Sequence, residues 1–146
     1  MSDRHVQSSG FGPRPDGRVL MRAYVVSSPR DGAVLEVEPP RAGPGEVVVD
    51  VERVGVCGTD VEFYNGDIAY LQTGEEHFPL RLGHEWCGTV AAVGEGVDPA
   101  LVGRRTTGDT MLGCQTCRRC RSGLQYLCAD RFEIGIRHGR VAGSAG

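Results

Sequence analysis

Four cysteines fall within one short stretch, GCQTCRRCRSGLQYLC, at Cys114, Cys117, Cys120 and Cys128. Spacings of two, two and seven residues put three thiolates on one tight turn and let a fourth fold back onto them, which is the layout of a metal cage. A tetrahedral all-cysteine site has no open position, so it is the structural type of zinc site, and its binding energy goes into ordering a lobe with little core of its own. Four thiolates on Zn²⁺ leave a local charge of about −2, which Arg118, Arg119 and Arg121 are placed in sequence to offset. The chemical rival is an iron-sulfur cluster, because Cys-x-x-Cys-x-x-Cys also opens a bacterial ferredoxin motif. Here the fourth cysteine comes after seven residues rather than three and no proline follows it, which favours zinc. Nucleic-acid binding by the arginines is the weaker alternative.

A second set of candidate ligands is more scattered: Cys57 in C-G-T-D and His84-Glu85 in G-H-E. Cys57 just precedes an expected helix N-terminus, whose free N–H groups and dipole favour a thiolate. His84 offers a neutral imidazole, with Asp60 available to hold its second nitrogen. Glu85 is adjacent to His84, and neighbours in a regular strand face opposite ways. Both reach one metal only if the backbone is irregular after Gly83; otherwise Glu85 stands behind the ligands. The competing reading of His84 is a hydrogen-bonded structural histidine. Cys87 lies in the strand-like run WCGTVAAV and reads as a small buried hydrophobe.

The elements that must position these residues are short. Met21 to Val26, Ala33 to Val37 and Glu46 to Val54 read as strands separated by Pro39-Pro40 and Gly43-Pro44-Gly45. In the third run Val47, Val49 and Val51 alternate with Val48, Asp50 and Glu52, the period of a strand with one buried face. Thr59 or Asp60 is expected to cap a helical turn over Val61 to Tyr64 that Asn65-Gly66 ends. Ile68 to Leu82 reads as an exposed loop, and Trp86 to Val93 and Leu101 to Thr107 as two more strands. Short strands with Gly-rich turns predict a mainly β, barrel-like domain with one small lobe inserted at 113–129. Residues 1–18 are polar and rich in Gly and Pro and predict a loose tail, leaving 19–146 as the domain.

Composition narrows the class. A chain of 146 residues, 40% hydrophobic with net charge −3, has the size of one ordinary globular domain. All 16 basic residues are arginine, and with only 6% aromatic residues and a mildly acidic balance the chain lacks the profile of a dedicated nucleic-acid binder. No apolar run reaches membrane-spanning length and no secretory signal opens the chain, so a cytoplasmic location without a membrane partner is expected. Six cysteines in that setting read as metal ligands before disulfides.

From about Met21 to Ile136 the chain resembles the N-terminal, GroES-like catalytic domain of the zinc-dependent medium-chain alcohol dehydrogenase superfamily. The resemblance rests on an ordered series: M-R-A-Y-V, P-G-E-V-V-V, V-C-G-T-D, the G-H-E-W-C-G-T-V block and the four-cysteine lobe. It implies a partly open, GroES-like β-barrel with short helices, a catalytic zinc held by Cys57 and His84 with Glu85 as ligand or near neighbour, and a structural zinc held by Cys114, Cys117, Cys120 and Cys128. It implies that Thr59 takes the proton from the substrate alcohol, zinc acts as Lewis acid, and NAD(P)⁺ accepts the hydride. V-C-G-T-D-V-E-F-Y-N-G-D is most similar to the threonine, sorbitol and polyol dehydrogenase branch, so the implied substrate is a small alcohol or polyol. Where many members of the family carry His, this chain has Glu62, which either contacts substrate or faces solvent.

The chain also departs from that pattern. Gly10-Phe11-Gly12, Gly43-Pro44-Gly45 and Gly94-Glu95-Gly96 each lack the third glycine opening a helix, so no NAD(P) site is expected in these residues. The family's fourth catalytic ligand lies beyond the stretch that matches. The ending RHGRVAGSAG replaces an expected apolar strand and suggests truncation, with an open sheet edge that favours self-association or a homo-oligomer. An isolated domain of this kind is expected to be inactive. The rival reading is a stand-alone zinc-binding interaction module, or a remnant that kept the scaffold and lost the chemistry.

Overall fold

The computed structural model describes residues 20–137; the tail expected at 1–18 and the sequence from His138 onward lie outside the described residues. Strand β1 (Met21–Ser28) turns at 29–30 into β2 (Asp31–Val37), with Pro29 leading and Arg30 following at the left-handed φ of 62° that the second central residue of a type II turn takes. Strand β3 (Val47–Val54) leads into helix α1 (Gly58–Asn65), then into the single turn α2 (Ala69–Gln72), β4 (Leu80–Arg81) and β5 (Trp86–Val93). Strands β6 (Arg105–Thr107) and β7 (Met111–Leu112), the one-turn helix α3 (Arg118–Arg121) and β8 (Phe132–Glu133) complete the order.

The strands make three antiparallel sheets, ordered β2-β1-β4, β3-β5-β6 and β7-β8, so the molecule is mostly strand with few short helices and open sheets. No helix among the described residues is long and apolar enough to cross a membrane. The cysteine lobe leaves the molecule after β7 and returns at β8, which pairs Met111 with Glu133 and Leu112 with Phe132.

Several expectations change once pairing is visible. Ile68 to Leu82 is not an exposed loop: Ile68 is buried, α2 interrupts the segment, and Leu80–Arg81 returns as β4 to the free edge of β1. Leu101 to Thr107 is a strand only in its last three residues. Asp98 accepts the Ala100 N–H at 2.9 Å and caps a 3₁₀ turn at Pro99–Leu101, and Gly103 follows at φ 82°. The buried valine face of β3 is absent as well, for Val47 and Val51 are 40% and 53% exposed. The register with β5 slips at Val48/Val49 and again at Val51/Arg53, and each slip re-phases the side chains and breaks the period of two. Cys87, in the middle strand of that sheet, is only half-buried.

The apolar core is accordingly small. Val25 and Val26 of β1, Phe63 of α1, Ile68, Val90 of β5 and Cys128 of the lobe are its buried members. Phe63, 1% exposed, is the largest of them and ties α1 to the rest. Phe63→Ala is expected to lower the free energy of unfolding by about 3 to 5 kcal/mol, whereas Val61→Ala on the exposed side of the same helix shifts it by about 0.5 kcal/mol or less. Urea titration of both variants in the presence of zinc checks the contrast.

Candidate metal centres

The first centre is built by the start of α1. Cys57 itself is the N-cap, with an extended backbone and a sulfur that accepts the Thr59 N–H at 3.3 Å. Asp60, at the third helical position, reaches back so that its Oδ2 accepts the Cys57 N–H at 3.0 Å. The helix thus begins a turn earlier than the cap at Thr59 or Asp60 expected from sequence. The missed signal was a capping box, with Cys in the place usually held by Ser or Thr and Asp in that of Glu. Its effect is to fix a sulfur against backbone N–H dipoles at a helix start, where a thiolate is favoured.

His84 arrives from the other side of this sulfur. Its Nε2 lies 2.9 Å from Cys57 Sγ, and its Nδ1 lies 3.5 Å from Asp60 Oδ1. His84 and Asp60 are each only 8% exposed, and neither Nδ1 nor Oδ1 has a well-formed hydrogen bond elsewhere, so the two buried atoms have chiefly each other. A proton on Nδ1 facing the carboxylate leaves the Nε2 lone pair directed to the sulfur side, the tautomer a metal ligand needs. Glu85 brings a carboxylate oxygen within 4.8 Å of both ligand atoms. It does so because 82–85 belong to no strand and Gly83 sits at φ 123°. One sulfur, one imidazole nitrogen and one carboxylate oxygen are the cluster's ligand atoms among the described residues, and three protein ligands fit a zinc site of the open kind.

Thr59 is half-buried in the first turn of α1, two residues after Cys57. Glu62 is exposed. Behind Asp60 and Gly83 lies an apolar hollow of about 570 Å³ walled by Tyr24, Val54, Val56, Val61, Tyr64 and Leu82.

The second centre gathers the four lobe cysteines, whose sulfurs all lie within 4.8 Å of one another and form no disulfide. Cys114 and Cys120 sulfurs are 4.0 Å apart and those of Cys117 and Cys128 are 3.9 Å apart. A tetrahedron with zinc-sulfur bonds of about 2.3 Å puts its sulfurs roughly 3.8 Å apart, so the cage has the right size. Backbone N–H groups of Cys114, Cys117 and Cys120 point at Cys128, Cys114 and Cys117 sulfurs at 3.4 to 3.5 Å. The Thr116 hydroxyl, 3.4 Å from Cys114 Sγ, and the backbone N–H groups of Cys117 and Thr116 hold the Cys114 thiol down to about 6. Burial, and then the neighbouring Cys117 thiol, push Cys120 up to about 12. A divalent cation held by these four sulfurs would supply the charge against which Cys120 could release its proton, so metal uptake and deprotonation would go together. Of the three arginines, Arg119 is engaged in holding the lobe shut: its guanidinium donates to the Leu127 carbonyl at 2.6 Å.

Two supports of the first centre had no signal in the sequence. The Thr110 hydroxyl donates to the His84 carbonyl at 3.4 Å, and the Gly55 N–H donates to the Glu85 carbonyl at 2.8 Å.

Comparison with known proteins agrees with this arrangement. Residues 43–146 match the family model of the alcohol dehydrogenase GroES-like domain. The chain is 42% identical over 119 residues to the L-threonine 3-dehydrogenase of Saccharopolyspora erythraea, covering 81% of this chain and 34% of that one. Among solved structures it is similar to an alcohol dehydrogenase from Escherichia coli CFT073 complexed with NADH (32% identity, TM-score 0.70, 82% of this chain and 34% of that one). It is also similar to a cobalt- and zinc-bound thermostable alcohol dehydrogenase from Pyrobaculum aerophilum (31% identity, TM-score 0.70, 82% of this chain and 36% of that one). The chain therefore spans about a third of the length of the relatives it matches.

Thr116→Val removes the hydroxyl donor to Cys114 while keeping the side-chain volume. Competition against a chromophoric chelator is expected to show zinc held about tenfold more weakly in the lobe, with the affinity of the Cys57 and His84 centre unchanged.

Proposed function

This chain belongs to the alcohol dehydrogenase GroES-like domain family, and from that premise we propose that it is the zinc-binding catalytic portion of an NAD(P)-dependent dehydrogenase acting on a small alcohol. The observation that carries the reading is the first centre: Cys57 Sγ 2.9 Å from His84 Nε2, His84 Nδ1 backed by Asp60, and Glu85 alongside. Zinc bound there supplies a Lewis acid that lowers the pKa of a substrate hydroxyl.

The remaining work falls to this chain's own residues. The α1 N-terminus fixes the Cys57 sulfur against the Thr59 N–H, and the buried Asp60 carboxylate keeps His84 in the ligating tautomer. Thr59, in the first turn of the same helix, receives the hydroxyl proton and passes it outward, while the exposed Glu62 faces solvent. The hydride goes to NAD(P)⁺, whose binding site we place outside the described residues. The substrate proposed first is L-threonine, by the likeness to L-threonine 3-dehydrogenase, with a polyol such as sorbitol second. The lobe's zinc is structural in this reading, because four thiolates complete its coordination.

Zinc per chain is the first test. About two equivalents are expected, falling to about one in Cys57→Ala. About one equivalent, unaffected by Cys57→Ala, would leave only a structural-zinc module and overturn the reading. In the cobalt-exchanged protein, L-threonine or sorbitol is expected to change the visible spectrum of the wild type and to leave that of Cys57→Ala unchanged. These 146 residues on their own are expected to form no NAD(P)H from either alcohol.

A further inference from the structure

Two consecutive residues, His84 and Glu85, turn toward the same cysteine, which a regular strand forbids because its neighbours face opposite ways. Something must hold the chain off strand geometry at this point. On one side the Gly55 N–H grips the Glu85 carbonyl at 2.8 Å. On the other side the backbone of the turn after β8 is laid directly against the backbone of Gly83. A Cβ built on Gly135 would overlap the Gly83 carbonyl oxygen and stand 2.7 Å from its carbon and 2.9 Å from its nitrogen, closer than real side chains pack. Gly135 also sits at φ 64°, where side chains are disfavoured.

The turn that carries Gly135 is itself anchored. The Ile134 N–H donates to the Thr110 carbonyl at 3.0 Å, and the Ile136 and Arg137 N–H groups donate to the Glu133 carbonyl at 3.0 and 2.9 Å. Glu133, 3% exposed, is paired with Arg131 at 2.9 Å. Thr110 closes the circuit, because its hydroxyl holds the His84 carbonyl. The obstacle that a side chain at Gly135 would meet is therefore backbone on a fixed support, which cannot swing aside as a flexible side chain can.

We infer that Gly135 is a positioning residue of the Cys57, His84 and Glu85 centre, its missing side chain being what lets the Gly83 to Glu85 segment turn two consecutive ligands toward one metal. The inference rests on the metal reading proposed above. Gly55 has a narrower role on the opposite side: a Cβ there would meet the Glu85 side chain, at 3.0 Å from its Cβ and 3.3 Å from its Cδ, and so disturb the carboxylate without moving His84.

Cobalt(II) titration of the full chain separates these roles, since the all-sulfur lobe and the mixed sulfur, nitrogen and oxygen centre give different visible spectra. In the wild type both signatures are expected, and a wild type showing the lobe signature alone would sink the metal reading before any variant is compared. Gly135→Ala is expected to keep the lobe signature and to weaken cobalt binding at the mixed centre by about tenfold or more. Gly135→Asn tolerates a left-handed φ yet carries the Cβ, so the same loss is expected and would trace it to the overlap rather than to backbone strain. Gly45→Ala, at φ 75° with open space around it, should leave both centres unchanged. Wild-type affinity at the mixed centre in Gly135→Ala or Gly135→Asn overturns the inference. Loss of the lobe signature in both overturns it too, for Gly135 would then be holding the fold and not the site.

Discussion

The sulfur of Cys57 answers to two partners at once. It receives the Thr59 N–H as the cap of α1, and it faces His84 Nε2 across 2.9 Å. Asp60 binds the two functions into one unit, since one of its oxygens closes the capping box on Cys57 and the other lies against His84 Nδ1. Helix start, sulfur and imidazole are thereby mutually oriented by a single carboxylate. Burial sharpens the dependence: in a low-dielectric setting an unpaired carboxylate or imidazole is costly, so each group holds the other in place. The sheets serve chiefly to deliver the two strand ends, at Val54 and Trp86, between which this unit is assembled.

Very little of this rigidity comes from apolar burial. Six hydrophobic residues are buried among those described, and large aliphatic side chains such as Val51, Val54 and Val56 stay more than half exposed. A core that small cannot order a segment as polar as the one from Cys114 to Cys128. The task passes to sulfur-directed N–H groups, the Arg119 staple to Leu127 and the cation that four adjacent thiols invite. Directional interactions thus take over where non-directional burial runs short, and the lobe is built almost entirely from them.

Legibility in the sequence followed the range of each interaction. The lobe could be read from spacing because all its ligands lie close along the chain. Cys57 and His84 lie 27 residues apart, and nothing in C-G-T-D or G-H-E reports the distance between their side chains; the residue types made them candidates, and the ordered resemblance to a family joined them into one site. Strands β1, β2 and β5 were visible as β-rich runs. The valine alternation in β3 was real in sequence yet lost in space, because two register slips change which side chains share a face. Strand β4 owes its existence to the free edge of β1, and the two-pair ladder of β7 and β8 is too short to leave a period. Gly55 and Gly135 were silent for a different reason: what matters at each is an atom that is not there.

The ladder between β7 and β8 has a topological consequence. Met111 and Glu133 are partners, so the chain leaves for the lobe and comes back at adjacent points, and the excursion between them is a closed loop with a single narrow neck. Such an excursion can lengthen, shorten or exchange its contents without altering the path of the main chain on either side. The neck is also where the lobe meets the first centre, through Thr110 just before it and Gly135 just after it. A lineage that redesigned this loop would be free everywhere except at those few residues of its hem.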